Sequence, residues 1–335
     1  MQMFSASKNF DDAVSCLTEN VKSIFLKIDD SVKNSIREVR LLANSPLQIV
    51  DNGGTRYVDK NGRIRSRADE NNYIVKKSDI EDTFRAVCGY SVYSFQNEIC
   101  RGYITLKGGH RVGICGTAVC ENGRVGSVKD ISSINLRIAK QMVGVVERML
   151  PEWVIKDNRS MIIAGPPCSG KTTLLRDIAR TLSLQGKRVS VIDERGEISA
   201  SSQGIAQNDL GNCCDVFNGY PKAVGIMTAM RVMSPDVIVC DEIGENEEAY
   251  QVKSGLNCGV RFILTAHCYD LESLFRRPQI KMLLDSGEFG CVALLQGGRL
   301  VGSPAKLALI GKDKDETNGT FAFGDTFNGV GSIVL

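Results

Sequence analysis

One motif constrains the fold of this chain more than any other feature: Gly165-Pro166-Pro167-Cys168-Ser169-Gly170-Lys171-Thr172. It matches the pattern G-x-x-x-x-G-K-[ST] in full, follows an apolar segment and opens a helical one, which is the context that this motif requires. Glycines let the backbone curl into a ring of N–H donors, and the helix N-terminus adds positive potential. The sequence therefore predicts a phosphate-binding loop. Its expected ligand-binding residues are Gly165, Pro166, Pro167, Cys168, Ser169, Gly170, Lys171, Thr172 and Thr173.

A second motif supplies the acidic groups that such a loop needs. The apolar run Asp236–Cys240 predicts a buried strand that ends at Asp241-Glu242. In P-loop proteins the lysine reaches the β- and γ-phosphates, and the loop threonine together with an aspartate holds Mg²⁺. Thr172 and Asp241 are thus the predicted metal ligands, with ATP and Mg²⁺ as the expected cofactors. Glu242 can polarise the attacking water as a general base.

Two further strands are predicted to end in polar groups. The first leads into Asp193-Glu194-Arg195-Gly196-Glu197, and the second ends at Thr265-Ala266-His267. Ligands of open α/β sheets bind at the carboxyl ends of the strands, so these groups and the loop should lie at one edge. Glu194 and Glu197 are additional candidates for orienting the water. His267 is either an ordinary loop histidine or a sensor of the γ-phosphate.

The 335 residues suit two domains of ordinary size. Residues 1–150 contain short strand patterns separated by hairpin signals (Asn52–Gly54, Asn61-Gly62, Gly108-Gly109 and Asn122-Gly123), which predicts an α+β domain with an antiparallel sheet. Residues 151–310 alternate strand and helix patterns, which predicts an α/β P-loop ATPase domain with a parallel sheet. The segment 311–335 is predicted to be a polar, loosely ordered tail.

Composition narrows the possible partners. The 41 basic and 39 acidic residues leave no basic surplus, so nucleic acid is not an expected partner. The twelve cysteines include no Cys-x-x-Cys pair, and reduced thiols without a structural metal are expected. The chain begins without a signal-peptide pattern and contains no apolar run of membrane-spanning length. A cytoplasmic protein without direct membrane insertion, docked on a membrane through partners, is therefore expected.

The motifs resemble those of the type II and type IV secretion (traffic) ATPases, and within that superfamily a sporulation family of endospore-forming bacteria. The resemblance covers most of residues 35–300. Besides the motifs above, it rests on Glu38–Leu41, Gly102–Gly113, Ile134–Ala139 and Met230–Asp236.

The resemblance implies a RecA-like, additional-strand catalytic-glutamate ATPase core preceded by a smaller α+β N-terminal domain. It also implies a homo-hexameric ring that couples ATP hydrolysis to membrane proteins of a sporulation channel complex, on the mother-cell side. Arg111 and Arg137 match arginines that the N-terminal domain presents to the nucleotide. Strand alternation supports this for Arg111, because Val112 and Ile114 take the opposite face and leave room beside the arginine. The alternative is an ordinary solvated strand arginine.

Departures from the family pattern keep some roles open. Traffic ATPases usually carry Gly-Glu where this chain has Asp241-Glu242, and Arg195 stands where their acidic box has a proline. The sequence thus leaves open whether Glu242, Glu194 or Glu197 orients the water. Cys168 occupies a loop position often held by glycine.

Three other functions compete with this interpretation. A small-molecule kinase would usually add an arginine-rich lid, whereas here the acidic segment after the loop helix suits water activation. An ATPase acting on nucleic acid is disfavoured by the near-neutral charge. A non-catalytic nucleotide-binding scaffold would leave the acidic residues without a role.

Overall fold

A computed structural model describes residues 6–51, 53–121, 123–298, 302–303, 305–310, 320–324 and 330–334. The chain divides into two compact units, Met1–Lys140 and Gln141–Leu335. Each unit has its own hydrophobic core.

The first unit is an antiparallel sheet with short helices. Its helices are α1 (Ala6–Val14), α2 (Glu19–Phe25), α3 (Asp30–Lys33), α4 (Lys77–Val87) and α5 (Gln96–Cys100), and a 3-10 turn spans Val92–Phe95. Its strands are β1 (Glu38–Leu42), β2 (Gln48–Asp51), β3 (Gly54–Val58), β4 (Ile64–Arg65), β5 (Tyr103–Thr105), β6 (Arg111–Glu121) and β7 (Arg124–Arg137). The strand order is β4-β3-β2-β1-β7-β6-β5. Each predicted hairpin signal falls between two consecutive strands, although Asn52 and Asn122 themselves lie outside the described residues.

The second unit is a mostly parallel sheet with helices between its strands. Its helices are α6 (Val145–Met149), α7 (Glu152–Lys156), α8 (Lys171–Leu184), α9 (Lys222–Val232), α10 (Asn246–Asn257), α11 (Leu271–Phe275) and α12 (Pro278–Leu284). Its strands are β8 (Ser160–Gly165), β9 (Val189–Asp193), β10 (Cys214–Asn218), β11 (Val237–Cys240), β12 (Arg261–His267), β13 (Phe289–Leu294), β14 (Lys306–Ile310), β15 (Thr320–Gly324) and β16 (Val330–Val334).

The strand order places the polar strand ends together. Among the described residues the sheet runs β10-β9-β11-β12-β8-β13-β14-β15-β16, parallel from β10 to β13 and antiparallel beyond it. Strand β12 separates β11 from β8, which is the additional-strand order of RecA-like P-loop proteins. Because these strands are parallel, the loop after β8 and the polar ends of β9, β11 and β12 meet at one edge.

Apolar residues explain why these strands lie in the centre of the unit. Strands β8, β9 and β11 are buried along their whole length, as expected for parallel strands covered on both faces. Helix α8 buries the face formed by Leu174, Leu175, Ile178 and Leu182 against one side of the sheet. The phosphate loop is thus anchored at both ends by buried apolar segments.

Two observations bear on the predicted division of the chain. The chain divides after Lys140 rather than after residue 150, because α6 packs into the core of the second unit through Val145, Val146 and Met149. The tail was predicted to be loosely ordered, whereas β15 and β16 extend the sheet beyond β14 by antiparallel pairing. The remaining tail positions, 311–319, 325–329 and 335, lie outside the described residues.

A buried carboxylate attaches the start of the second unit to the phosphate-loop helix. Asp177 on α8 is 2% exposed and accepts hydrogen bonds from the backbone N–H groups of Gly144 (3.2 Å) and Val146 (2.8 Å). It therefore caps the N-terminus of α6 from a neighbouring helix, and its negative charge suits that end of the helix dipole.

We expect Asp177→Ala to lower the free energy of unfolding of this unit by about 1–3 kcal/mol, because two backbone donors lose their acceptor. Urea denaturation followed by circular dichroism measures the change. The exposed Asp285, changed to alanine, is the matched control and should shift stability by less than about 0.5 kcal/mol. Equal stability of the two variants would contradict the capping role.

Candidate active site

The phosphate loop connects β8 to α8 through backbone conformations that need specific residues. Gly170, just before α8, has φ +95°, a value that side chains strongly disfavour. A Cβ on Gly165 would lie 2.8 Å from Ser169 Oγ, so only glycine fits there. Cys168 has φ +59°, the left-handed conformation that glycine would supply in the family pattern. The loop therefore keeps its shape despite the cysteine.

Lys171, the first residue of α8, uses all three of its ammonium donors. Its Nζ lies 3.0 Å from the carbonyl oxygen of Gly165, 2.8 Å from that of Pro166 and 2.9 Å from His267 Nδ1. Because the ammonium can only donate, Nδ1 accepts and the proton of the neutral imidazole is on Nε2. Burial lowers the pKa of Lys171, although Asp241 and Glu242 act in the opposite direction.

Two threonines fix the carboxylate of Asp241 directly after β11. Thr172 Oγ1 donates to Asp241 Oδ2 at 3.0 Å, and the Thr265 hydroxyl donates to Oδ1. Thr265 Oγ1 also accepts the backbone N–H of Glu242 at 2.8 Å. The two predicted metal ligands, Thr172 and Asp241, are therefore hydrogen-bonded to each other, and Thr265 on β12 holds the aspartate.

Glu242 is held through both side-chain oxygens. His267 Nε2 donates to Oε1 at 2.5 Å, and Arg195 Nη1 donates to Oε2 at 2.9 Å. The backbone of Glu242 is left-handed, with φ +48°. A continuous chain of contacts thus runs from Lys171 through His267 and Glu242 to Arg195. It joins the ends of β8, β12, β11 and β9.

The carboxylates in the acidic segment after β9 have different roles. Asp193 is buried and accepts the N–H groups of Glu197 (2.9 Å), Ile198 (3.2 Å) and Ser199 (2.7 Å), so it shapes the turn. Glu197 is exposed, and its carbonyl accepts from Arg176 on α8. The side chain of Glu194 pairs with Lys222 rather than with His267. Among the three candidates, Glu242 is the one in the chain of contacts that includes Lys171.

Lys222 and Glu248 also belong to this edge, and sequence reasoning missed both. Lys222 Nζ lies 2.8 Å from the carbonyl oxygen of Glu242 and 3.1 Å from Glu248 Oε1. One signal was available: Lys222 is the first residue of α9, where the helix dipole disfavours a cation. A cleft of about 440 Å³ adjoins these residues and is also lined by Arg195, His267 and Arg277.

Arg111 and Arg137 lie in the first unit, opposite each other on β6 and β7. The guanidinium carbon of Arg111 is 3.4 Å from the centre of the Tyr103 ring, a cation–π contact. Arg137 Nε is 3.3 Å from Glu38 Oε1. Val112 is fully buried on the other face, as the alternation predicted, and Tyr103 occupies part of the space beside Arg111. The two arginines form a local cationic pair on one sheet face.

The strand order and this edge define the class of the protein: it has the RecA-like P-loop fold with an additional strand and a preceding α+β unit. The chain belongs to the family described as "Sporulation stage III, protein AA", whose sequence model matches residues 8–315. It is 36% identical over 279 residues to stage III sporulation protein AA of Bacillus subtilis strain 168, which covers 82% of this chain and 86% of that protein.

Solved structures share the fold at low sequence identity. The ATPase DotB of Yersinia pseudotuberculosis aligns with a TM-score of 0.58 and 13% identity, over 89% of this chain and 81% of that one. The pilus retraction motor PilT, solved with bound ADP, aligns with a TM-score of 0.52 and 13% identity, over 88% and 81% of the two chains. At this identity the likeness concerns the fold alone.

Proposed function

We propose that this chain hydrolyses ATP with Mg²⁺ at the edge formed by β8, β9, β11 and β12. Two sets of contacts at that edge carry the proposal: His267 joins Lys171 to Glu242, and Thr172 contacts Asp241. These are the groups that P-loop chemistry requires: a cation for phosphate, a hydroxyl and a carboxylate for the metal, and a base for water. The DotB and PilT folds agree with this chemistry, since the first is an ATPase and the second was solved with ADP.

The residues at this edge suit Mg²⁺ better than they suit a metal ion whose ligands all come from the protein. Mg²⁺ prefers oxygen ligands and takes only one or two from the protein, the rest coming from water and phosphate. Thr172 Oγ1 and Asp241 Oδ2, 3.0 Å apart, provide such a partial set. Over the residues that the structure describes, no cluster of three metal-binding side chains occurs. Bound Mg²⁺ would neutralise charge developing on the β- and γ-phosphates.

When phosphate binds, it replaces one or more of the present hydrogen-bond acceptors of Lys171. All three of its donors are used by loop carbonyls and His267, so an arriving phosphate must replace at least one acceptor. A change at His267 Nδ1 reaches Glu242 through the opposite ring nitrogen. His267 thereby links occupation of the phosphate site to the candidate base, which gives it the role of γ-phosphate sensor.

Glu242 is the proposed general base. Its carboxylate is held by His267 and Arg195, and its left-handed backbone aims the residue away from the strand direction of β11. Glu194 pairs with Lys222, and Glu197 is exposed at the turn. Hydrolysis needs neither an acceptor other than water nor nucleic acid, and the near-neutral charge agrees with the second point.

We expect Lys171→Ala to weaken ATP binding by roughly two orders of magnitude, because the cation aimed at the phosphates is lost. Glu242→Gln should keep binding and lower kcat by about 10²-fold to 10⁴-fold, since an amide cannot act as a base. Fluorescent-nucleotide titration and phosphate release, without any acceptor or nucleic acid, measure the two effects. Asp285→Asn, which changes an exposed acid directly after α12, is the control. Normal turnover by Glu242→Gln would assign the base to Glu194 or Glu197.

The proposed assembly is a homo-hexameric ring in which Arg111 or Arg137 of the first unit reaches the phosphates. Family membership supports it, and so does the placing of the two arginines opposite each other on neighbouring strands. Tyr103 and Glu38 hold these side chains in place before any phosphate arrives. An arginine supplied in this way stabilises charge in the transition state.

We expect ATP to shift the protein towards a hexamer, and Arg111→Ala or Arg137→Ala to lower kcat by about 10³-fold. Sedimentation velocity with and without ATP, and phosphate release, are the measurements. Arg85→Ala is the control, because the exposed Arg85 side chain pairs with the exposed Asp82 on the same helix. A monomer under all nucleotide conditions, with wild-type turnover by both arginine variants, would exclude the ring mechanism.

The proposed cellular role is to power a channel complex between mother cell and forespore during endospore formation. Support comes from the family and from the 36% identity to the B. subtilis protein. Within the ranges described above, no helix has the length and apolar character needed to cross a membrane. By family membership, we place its action in the mother-cell cytoplasm, from which it would reach the membrane through partner proteins of the channel.

In a spore-forming host, Lys171→Ala at the native locus should allow engulfment and block later forespore development, because the motor lacks ATP. Heat-resistant spore counts and microscopy of engulfment are the measurements. The strain carrying Asp285→Asn should sporulate normally. Wild-type spore yield from the Lys171→Ala strain would refute this role.

A further inference from the structure

Lys222 is a partly buried cation that contacts oxygen atoms from three segments of the chain. Its side chain is 11% exposed at the start of α9. Its Nζ lies 2.8 Å from the backbone carbonyl oxygen of Glu242, 3.1 Å from Glu248 Oε1 and 3.5 Å from Glu194 Oε2. These contacts join the acidic segment after β9, the turn after β11 and the first turn of α10.

The surroundings of Lys222 indicate that it keeps its charge. Burial acts against the ammonium form, but Glu248 and Glu194 outweigh it and raise the pKa of Lys222. The first turn of a helix is an unfavourable place for a cation, so the dipole of α9 does not explain this lysine. Its partners do, because the ammonium donates to the Glu242 carbonyl and to Glu248 and forms an ion pair with Glu194.

The hydrogen bond from Lys222 to the Glu242 carbonyl stabilises the backbone conformation of the candidate base. Glu242 has φ +48°, which a residue with a side chain adopts only when its surroundings hold it there. Thr265 fixes the backbone N–H of Glu242, and Lys222 fixes its carbonyl oxygen. The ammonium therefore completes the clamp on the peptide groups on both sides of this residue.

Glu248 extends the same clamp to the other end of the turn. Its side chain is 9% exposed, and Oε2 accepts the backbone N–H groups of Gly244 (2.8 Å) and Glu245 (3.1 Å). Its other oxygen accepts from Lys222. The whole connection from β11 to α10 is thus tied to a single ammonium.

We propose that Lys222 is a positioning residue for ATP hydrolysis, which holds the left-handed turn at Glu242 so that its carboxylate faces the attacking water. The inference rests on the proposed ATPase function and on Glu242 as its base. Within the part of the chain that the structure describes, Lys222 has no hydrogen bond or ion pair with the phosphate loop. It should therefore influence the chemical step and leave nucleotide binding almost unchanged.

The test compares Lys222→Met with wild type in phosphate release and in titration with fluorescent ADP and Mg²⁺. We expect kcat to fall by about tenfold to a hundredfold, since small misplacements of a reacting group cost this much. The affinity for ADP should stay within about threefold. Lys222→Arg, which keeps the charge, should recover part of kcat. Lys253→Met, on the exposed face of α10, is the matched control and should behave as wild type.

A double variant separates positioning from general destabilisation. If Lys222 acts through Glu242, adding Lys222→Met to Glu242→Gln should lower kcat no further, because the carboxylate that it positions is already absent. An equal fold-loss in both backgrounds would overturn the inference. If Lys222→Met alone fails to fold, Lys222→Met/Glu248→Gln removes the unpaired buried carboxylate and should show the same loss of kcat.

The outcomes distinguish the inference from the function beneath it. Wild-type protein without ATPase activity would overturn the proposed function together with this inference. An active wild type, with Lys222→Met at the same kcat, would overturn the inference alone. A loss of ADP affinity equal to the loss in kcat would also overturn it, since that result assigns Lys222 to binding.

Discussion

The contact between Lys171 and His267 is the interaction on which the rest of this edge depends. It joins the phosphate loop to the end of β12, the strand that separates β8 from β11. Through its second ring nitrogen, His267 then reaches Glu242 on the far side of that strand. Without the intervening strand, one imidazole could not contact both the loop lysine and the candidate base.

This arrangement explains how several carboxylates lie close together at this edge. Three of them have their own donors: Asp241 has two threonines, Glu242 has His267 and Arg195, and Glu248 has Lys222. Charges removed from water are stabilised when they are paired and hydrogen-bonded. A ligand that takes over Lys171 breaks one contact in a connected set, so its arrival changes the surroundings of Glu242 rather than of the loop alone.

The helix α8 connects this edge to the beginning of its unit. Its N-terminus carries Lys171 and Thr172, while Asp177, two turns further, caps α6 just after the division between the units. Arg180 on the same helix pairs with Asp209, whose backbone N–H and carbonyl bond to the Gln141 side chain. The segment that begins the second unit is therefore attached to α8, the helix that follows the phosphate loop.

Most of the strands and the loop could be predicted from sequence, because local signals determine them. Buried parallel strands appear in the sequence as apolar runs. The glycines and the lysine of the loop stand at a fixed spacing between a strand and a helix, and this pattern seldom occurs by accident. The boundary was placed ten residues late, since Pro151 is a strong local signal but α6 packs by tertiary contacts. The pairing of β15 and β16 was missed because strand addition at a sheet edge depends on the neighbouring strand rather than on composition.

By itself the sequence determined the phosphate loop, the acidic strand end and the parallel sheet on which both lie. The tertiary structure alone decided which polar groups meet. The sequence leaves open which of Glu242, Glu194 and Glu197 orients the water, whereas in the structure Glu242 contacts His267, because β12 lies beside β11. Lys222 has no motif of its own, and its role follows from three acceptors that are distant in the chain. Side chains brought together by strand order leave little trace in local sequence, since the distance between them is set by the sheet.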